Sequence, residues 1–214
     1  MNLINRLKGK TVIGIFLSIR RRTFWRFKRL FFGSFGRHSI MDKPLMIYNK
    51  KNIYIGERVT IRPGLRIEPI KSYGAQNFEN PQIIIEDGTT IEQNCHITCA
   101  NKVHIGKNVT IAGYSMITDI DHEYRNINMG ILEQELIVKE TYIDEECFIG
   151  MGARIMPGVH IGKHCIVGTN SIVTKDVPDY SVIVGAPAKI VKRYNPNLKK
   201  WLNVNEKGEF VKYE

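Results

Sequence analysis

Six histidines and four cysteines are the side chains of this 214-residue chain best suited to chemistry. His122 has the most suggestive surroundings, with Asp119, Asp121 and Glu123 close by in sequence. Imidazole titrates near 6.5, so it can take a proton at neutral pH, and a carboxylate beside it can fix its tautomer. The same residues would also suit a solvated polar loop. His160 and His164 stand four apart in HIGKH. That spacing gathers a metal on an α-helix, but not where a turn separates the two rings. His96 and His104 complete the set on which zinc could draw. Cys95, Cys99, Cys147 and Cys165 form no CxxC pair and no Cys/His ladder with zinc spacing. Four cysteines do not make a disulfide framework, which points to a reducing compartment.

The elements that must position these residues are set by a repeat. From Ile85 the chain divides every six residues into IEDGTT, IEQNCH and ITCANK, then, after two extra residues, IGKNVT, IAGYSM and ITDIDH. The phase resumes at Ile143 and runs to VTKDVP, and an earlier pair starts at Ile55. An aliphatic residue opens every hexad. Two residues before these places stand Thr89, Cys95, Val103, Val109, Ser115, Cys147, Ala153, Val159, Cys165 and Ser171, all small or β-branched. Two restricted positions in six do not fit the 3.6 spacing of an amphipathic helix. They fit a short strand that turns after each hexad, with the aliphatic and the small side chain inward and Gly, Asn, Asp and Lys at the turns. Stacked coils then bury a column that no single hexad could bury alone. Cys95, Cys147 and Cys165 thereby become small buried hydrophobes, whereas Cys99 has no assigned place.

The hydrophobic share of 43% and the charged share of 24% predict a real core. The net charge of +10 is lopsided: Arg6, Lys8, Lys10, Arg20, Arg21, Arg22, Arg26, Lys28, Arg29 and Arg37 precede the first acid, Asp42. Removing these ten from 31 bases leaves as many bases as the 21 acids, so the main body needs no nucleic-acid partner. Residues 11–19 are mostly apolar but too short for the roughly 20 residues that span a bilayer. On a helical wheel Ile13, Leu17, Phe24, Phe27 and Phe31 share a face opposite Arg22, Arg26 and Arg29. Residues 3–36 therefore suit an interfacial helix on an anionic membrane, or a helix packed on its own domain or a neighbouring subunit.

The repeat, ending in SIVTKDVPDYSVIVGAPAKIVK, together with the interrupting DHEY segment, resembles the hexapeptide-repeat acyltransferases. The similarity is to the maltose/galactoside/chloramphenicol acetyltransferase branch and to polysaccharide O-acetyltransferases, and it covers roughly residues 50–193. The resemblance implies an all-β solenoid, a left-handed parallel β-helix, assembled as a homotrimer with the site between subunits and acetyl-CoA as donor. The expected layout is a basic helical appendage over residues 1–40, the coils over 41–193 with a loop at about 118–142, and a tail over 194–214 that covers the open coil end or touches a neighbour.

The resemblance also places residues. His122 matches the catalytic base, where a repeat strand gives way to the extended loop, and direct attack without an acyl-enzyme is implied. Asn94 resembles the acceptor-binding Asn, and Asp119 and Asp121 could orient His122 or touch the sugar. Phe148, Gly150, Gly152, Gly168, Thr169, Gly185, Ala186 and Pro187 match the coenzyme groove, with Phe148 where several relatives carry Trp. Lys175 and Lys192 match bases that meet the coenzyme's phosphates. The expected function is O-acetylation of a sugar hydroxyl, in a surface polysaccharide or its precursor, in the cytoplasm and at the inner face of the cell membrane. Other acceptors remain open: a free sugar, serine, an antibiotic or a nucleotide-sugar amine. So do a metal-dependent hydratase of the same fold and a non-enzymatic scaffold, although no metal is expected.

Overall fold

The structure, a computed structural model, describes residues 29–205 and 208–211. It is nearly all-β, and successive strands visit three parallel sheets in turn. The first sheet holds Ser34–Phe35, Ile53–Ile55, Gln82–Ile85, Lys102–Ile105, Thr141–Ile143 and His160–Ile161. The second holds Ile40–Met41, Thr60–Ile61, Thr90–Ile91, Thr110–Ile111, Phe148–Ile149, Ile166–Val167 and Ser181–Gly185. The third holds Met46–Ile47, Arg66–Pro69, His96–Cys99, Met116–Thr118, Arg154–Ile155 and Ile172–Val173.

The register explains the hexads. Ile91 pairs with Ile111, Ile97 with Ile117 and Ile105 with Ile143, so aliphatic side chains stack coil on coil. Each is essentially inaccessible to solvent. A fully buried aliphatic side chain contributes about 1.5–3 kcal/mol. The small inward places are buried as well, from Thr89 to Ser171. Their hydroxyls are satisfied across the coil gap: Thr89 donates to the Gly106 carbonyl at 2.7 Å and Ser115 to that of Gly150 at 3.1 Å. A buried hydroxyl without such an acceptor would be costly.

The coil stack starts earlier than the expected boundary at residue 41. Ser34–Phe35 already pairs with Tyr54–Ile55, and Met41 is fully buried. Of the helical appendage expected over residues 1–40, residues 29–31 form a single 3-10 turn, Ser34–Phe35 and Ile40 are in strands instead, and residues 1–28 lie outside the described residues. At the other end Ala188–Asn195 and Lys200–Asn203 add two antiparallel strands to the second sheet. The tail thus covers the edge of that sheet, with Trp201 against His164 and Tyr194.

The corner from the third sheet to the first is where coils differ. After Arg66–Pro69 the chain makes a small hairpin, Ser72–Tyr73 against Gln76–Asn77. After His96–Cys99 it turns tightly to Lys102. After Met116–Thr118 it departs on a long arm before returning at Thr141. The base of that arm is a two-stranded antiparallel ribbon, Ile120–His122 against Leu136–Val138.

Candidate functional site

His122 sits on the outgoing strand of the long arm, directly opposite Leu136, and is exposed. Asp121 holds its main chain, with Oδ1 accepting the His122 N–H at 2.8 Å. The Tyr73 and His122 rings meet edge-to-face, with centroids 5.6 Å apart and planes at 70°. Glu123 is occupied by Arg125 and by the main-chain N–H groups of Tyr124 and Arg125, and this hydrogen bonding holds its carboxyl down at about 2. Among the described residues no carboxylate is hydrogen-bonded to the His122 ring, so the imidazole is available to an incoming proton.

Asp119 does not fill the role expected of it. It is fully buried, and its oxygens accept the N–H groups of Ala100 (2.8 Å), Asn101 (2.8 Å) and Lys102 (2.7 Å). Burial pushes its carboxyl above the ordinary range, and these donors pull it back. Asp119 therefore pins the tight corner of the coil below rather than steering His122 or touching a sugar.

The residues expected to hold the coenzyme fall on a different corner, from the second sheet to the third. Gly150 and Gly152 follow Phe148–Ile149 and Gly168 and Thr169 follow Ile166–Val167, whereas Gly185 ends Ser181–Gly185 and Ala186 and Pro187 form the turn back to Ala188–Asn195 on the same sheet. They form one edge running up the stack, with Phe148, Thr169 and Gly185–Pro187 exposed. Coil packing requires these glycines. A Cβ on Gly150 would lie 2.7 Å from the main chain of Val167 and Thr169, and one on Gly168 2.7 Å from Val184. Gly152 adopts φ +69° beneath the Asn170 side chain. Asn94 lies on the same edge, at φ 57°, its amide over Gly64 as Asn108 lies over Gly88. It is thus a turn residue of the stack, set apart from His122 by the third sheet. Lys175 follows Ile172–Val173 and so stands on the His122 corner, higher up. Lys192 is exposed on the added strand Ala188–Asn195 and pairs with Val182.

Residues 140–175 match the family described as bacterial transferase hexapeptide (six repeats). The chain is 32% identical to an Escherichia coli protein named for a lipopolysaccharide biosynthesis O-acetyl transferase, WbbJ, over 76% of this chain and 82% of that one. It is 31% identical to the galactoside O-acetyltransferase of Lactococcus lactis over 72% of this chain and 69% of that one. This chain belongs to the hexapeptide-repeat transferases. Among solved structures, a maltose O-acetyltransferase from Clostridium difficile superposes with a TM-score of 0.56 at 22% identity, over 83% of this chain and 88% of that one. The N-acyltransferase AntD from Bacillus cereus, in complex with dTDP and 3-hydroxybutyryl-CoA, gives 0.64 at 17% identity, over 81% and 89%. At these identities the likeness is one of fold.

The remaining histidines of this hexapeptide-repeat chain are dispersed. His96 is on the third sheet beside Thr98 and Glu68, and His104 and His160 are on the first beside Glu86 and Asp144. His164 meets Glu146 at 3.2 Å. No three metal-binding side chains converge among the described residues. All four cysteines are buried and unpaired, and Cys99 joins the inward column. Burial pushes the Cys95 thiol up to about 11, which suits packing rather than nucleophilic attack. The sequence reading missed the hairpin of residues 72–77, although the hexad phase breaks between Ile67 and Ile85. Tyr73 and Gln76 of that hairpin touch the His122 arm directly.

Proposed function

We propose that this chain is an acetyl-CoA-dependent O-acetyltransferase acting on a sugar hydroxyl of a surface polysaccharide or its lipid-linked precursor. The observation that carries the reading is His122: an exposed imidazole on an arm that leaves the coils at the end of a third-sheet strand, in a hexapeptide-repeat chain whose curated relatives are named as O-acetyltransferases. The sugar oxygen attacks the thioester carbonyl, and its proton passes to His122. The carbon–sulfur bond then breaks, and the departing thiolate takes the proton back from the imidazolium. Asp121 serves by fixing the main chain at His122.

The reading takes the chain as a left-handed solenoid assembled as a homotrimer, as the family resemblance implies, and the separation of the expected residues fits a site shared between protomers. His122 and Lys175 lie on one corner of the coils, and the glycine edge with Phe148, Thr169 and Gly185–Pro187 lies on the next. The third-sheet strands Met116–Thr118, Arg154–Ile155 and Ile172–Val173 stand between these corners. A pantetheine arm laid between the His122 corner of one protomer and the glycine edge of another would meet both sets. Its amides would pair with exposed coil backbone, and Lys175 and Lys192 would meet its phosphates. The basic residues 3–36 would hold the enzyme against anionic lipid at the cytoplasmic face, near a lipid-linked acceptor.

The test is release of CoA thiol in the presence of a panel of acceptors: sugars, oligosaccharides, serine, chloramphenicol and amino sugars. A hydroxyl-bearing sugar should stimulate release, and His122→Ala should lower turnover by about 10²–10⁴-fold. Release stimulated only by amino sugars, or a His122→Ala chain as active as its parent, would overturn the reading.

A further inference from the structure

Resting on the reading of His122 as the base, we propose that Tyr73 and Gln76, carried by the hairpin of residues 72–77, are positioning residues that hold His122 in place. A two-stranded ribbon is marginal by itself in water, so the arm that bears His122 needs an anchor. The hairpin supplies it from two coils below, reaching past the tight corner at Ala100–Lys102. The Gln76 side chain takes the place of a third strand: Leu136 N–H donates to its Oε1 at 2.6 Å, and its Nε2 donates to the Leu136 carbonyl at 3.2 Å.

Leu136 is the residue opposite His122. Glu123 N–H donates to the Glu135 carbonyl at 3.1 Å, so His122 and Leu136 form the non-hydrogen-bonded pair between. Such pairs bring Cα atoms closest, to about 4.5 Å. Fixing the outer edge of Leu136, itself buried, therefore fixes the backbone that carries the imidazole. Tyr73 acts at two points: its hydroxyl donates to the Leu132 carbonyl at 3.1 Å, and its ring, in edge-to-face contact with the imidazole, limits the rotation of that ring. A glutamine suits this place because its amide offers both an acceptor for the N–H and a donor for the carbonyl of one residue.

The experiment uses the full chain, with Gln76→Leu, Tyr73→Leu and Tyr73→Phe each made in the parent and in His122→Ala. Gln76→Leu and Tyr73→Leu should each lower kcat by about tenfold, a part of the 10²–10⁴ that a general base supplies. KM for acetyl-CoA should stay within about twofold, because the donor edge is untouched. Tyr73→Phe, which keeps the ring, should recover most of the Tyr73→Leu loss. In His122→Ala neither leucine variant should cost anything further, since a positioning residue has nothing left to position. An activity-independent readout is the NMR signal of the His122 ring, assigned by its loss in His122→Ala. It should carry a ring-current shift that Tyr73→Leu and Gln76→Leu remove. The proposal is overturned if both leucine variants keep kcat within about twofold, if the same loss appears in His122→Ala, or if the ring signal does not move. Should one leucine variant fail to fold, the other carries each of these outcomes. A His122→Ala chain as active as its parent would count against the base assignment instead, and the ring signal would still judge the clasp.

Discussion

Two side chains three residues apart show how differently one polar segment can be used. His122 is exposed and keeps its ring free of carboxylates, whereas Asp119 is sealed beneath the arm and spends both oxygens on three main-chain N–H groups. The substitution Asp119→Asn should therefore act on stability. An amide replaces one acceptor oxygen with a donor, leaving at least one buried N–H without a partner at a cost of about 1–3 kcal/mol. Urea unfolding should show that loss, while kcat at a temperature where the variant is folded stays within a few-fold of the parent. A drop in kcat as large as that of His122→Ala would restore Asp119 to the catalytic machinery.

Among the elements, the inward column dominates. Ile161 is inaccessible and pairs with Ile143 below and Val177 above. Ile161→Ala should cost about 2–5 kcal/mol in urea unfolding, because stacked coils cannot collapse into the cavity. A loss under about 1 kcal/mol would mean the column is loosely packed. This column was legible in the sequence because each strand presents the same two inward places, and composition repeats where geometry does. The coil over Ser34–Ile47 obeys the same rule, with Ser39 in the small place, but Met41 in the aliphatic one hid it. The Ser72–Asn77 hairpin was illegible for a different reason: its strands are two residues long and bury no apolar face, so no periodicity marks them. The fate of Asp119 could not be read either, since its partners lie 17 to 19 residues earlier and only the coil spacing brings them beneath it.

For the whole molecule, the proposed site, divided between two corners of the coils, would make activity a property of the assembly. Chains carrying His122→Ala and chains carrying Thr169→Trp, which would block the glycine edge, should each be inactive alone. Mixed at equal amounts in a closed ring, they should regain about one quarter of parental activity, because some junctions then pair an intact corner with an intact edge. No recovery in mixtures shown by mass to be hetero-oligomeric would place the whole site within one protomer. The tight corner at Ala100–Lys102 has a further consequence for the molecule's tolerance of length change. Corners of a stacked-coil protein ordinarily accept extra residues, since these bulge into solvent. Here the corner passes between the hairpin and the arm, tied down by Asp119, and any added residue would wedge the two apart. The shortest turn on this side of the stack is thus the one least able to grow.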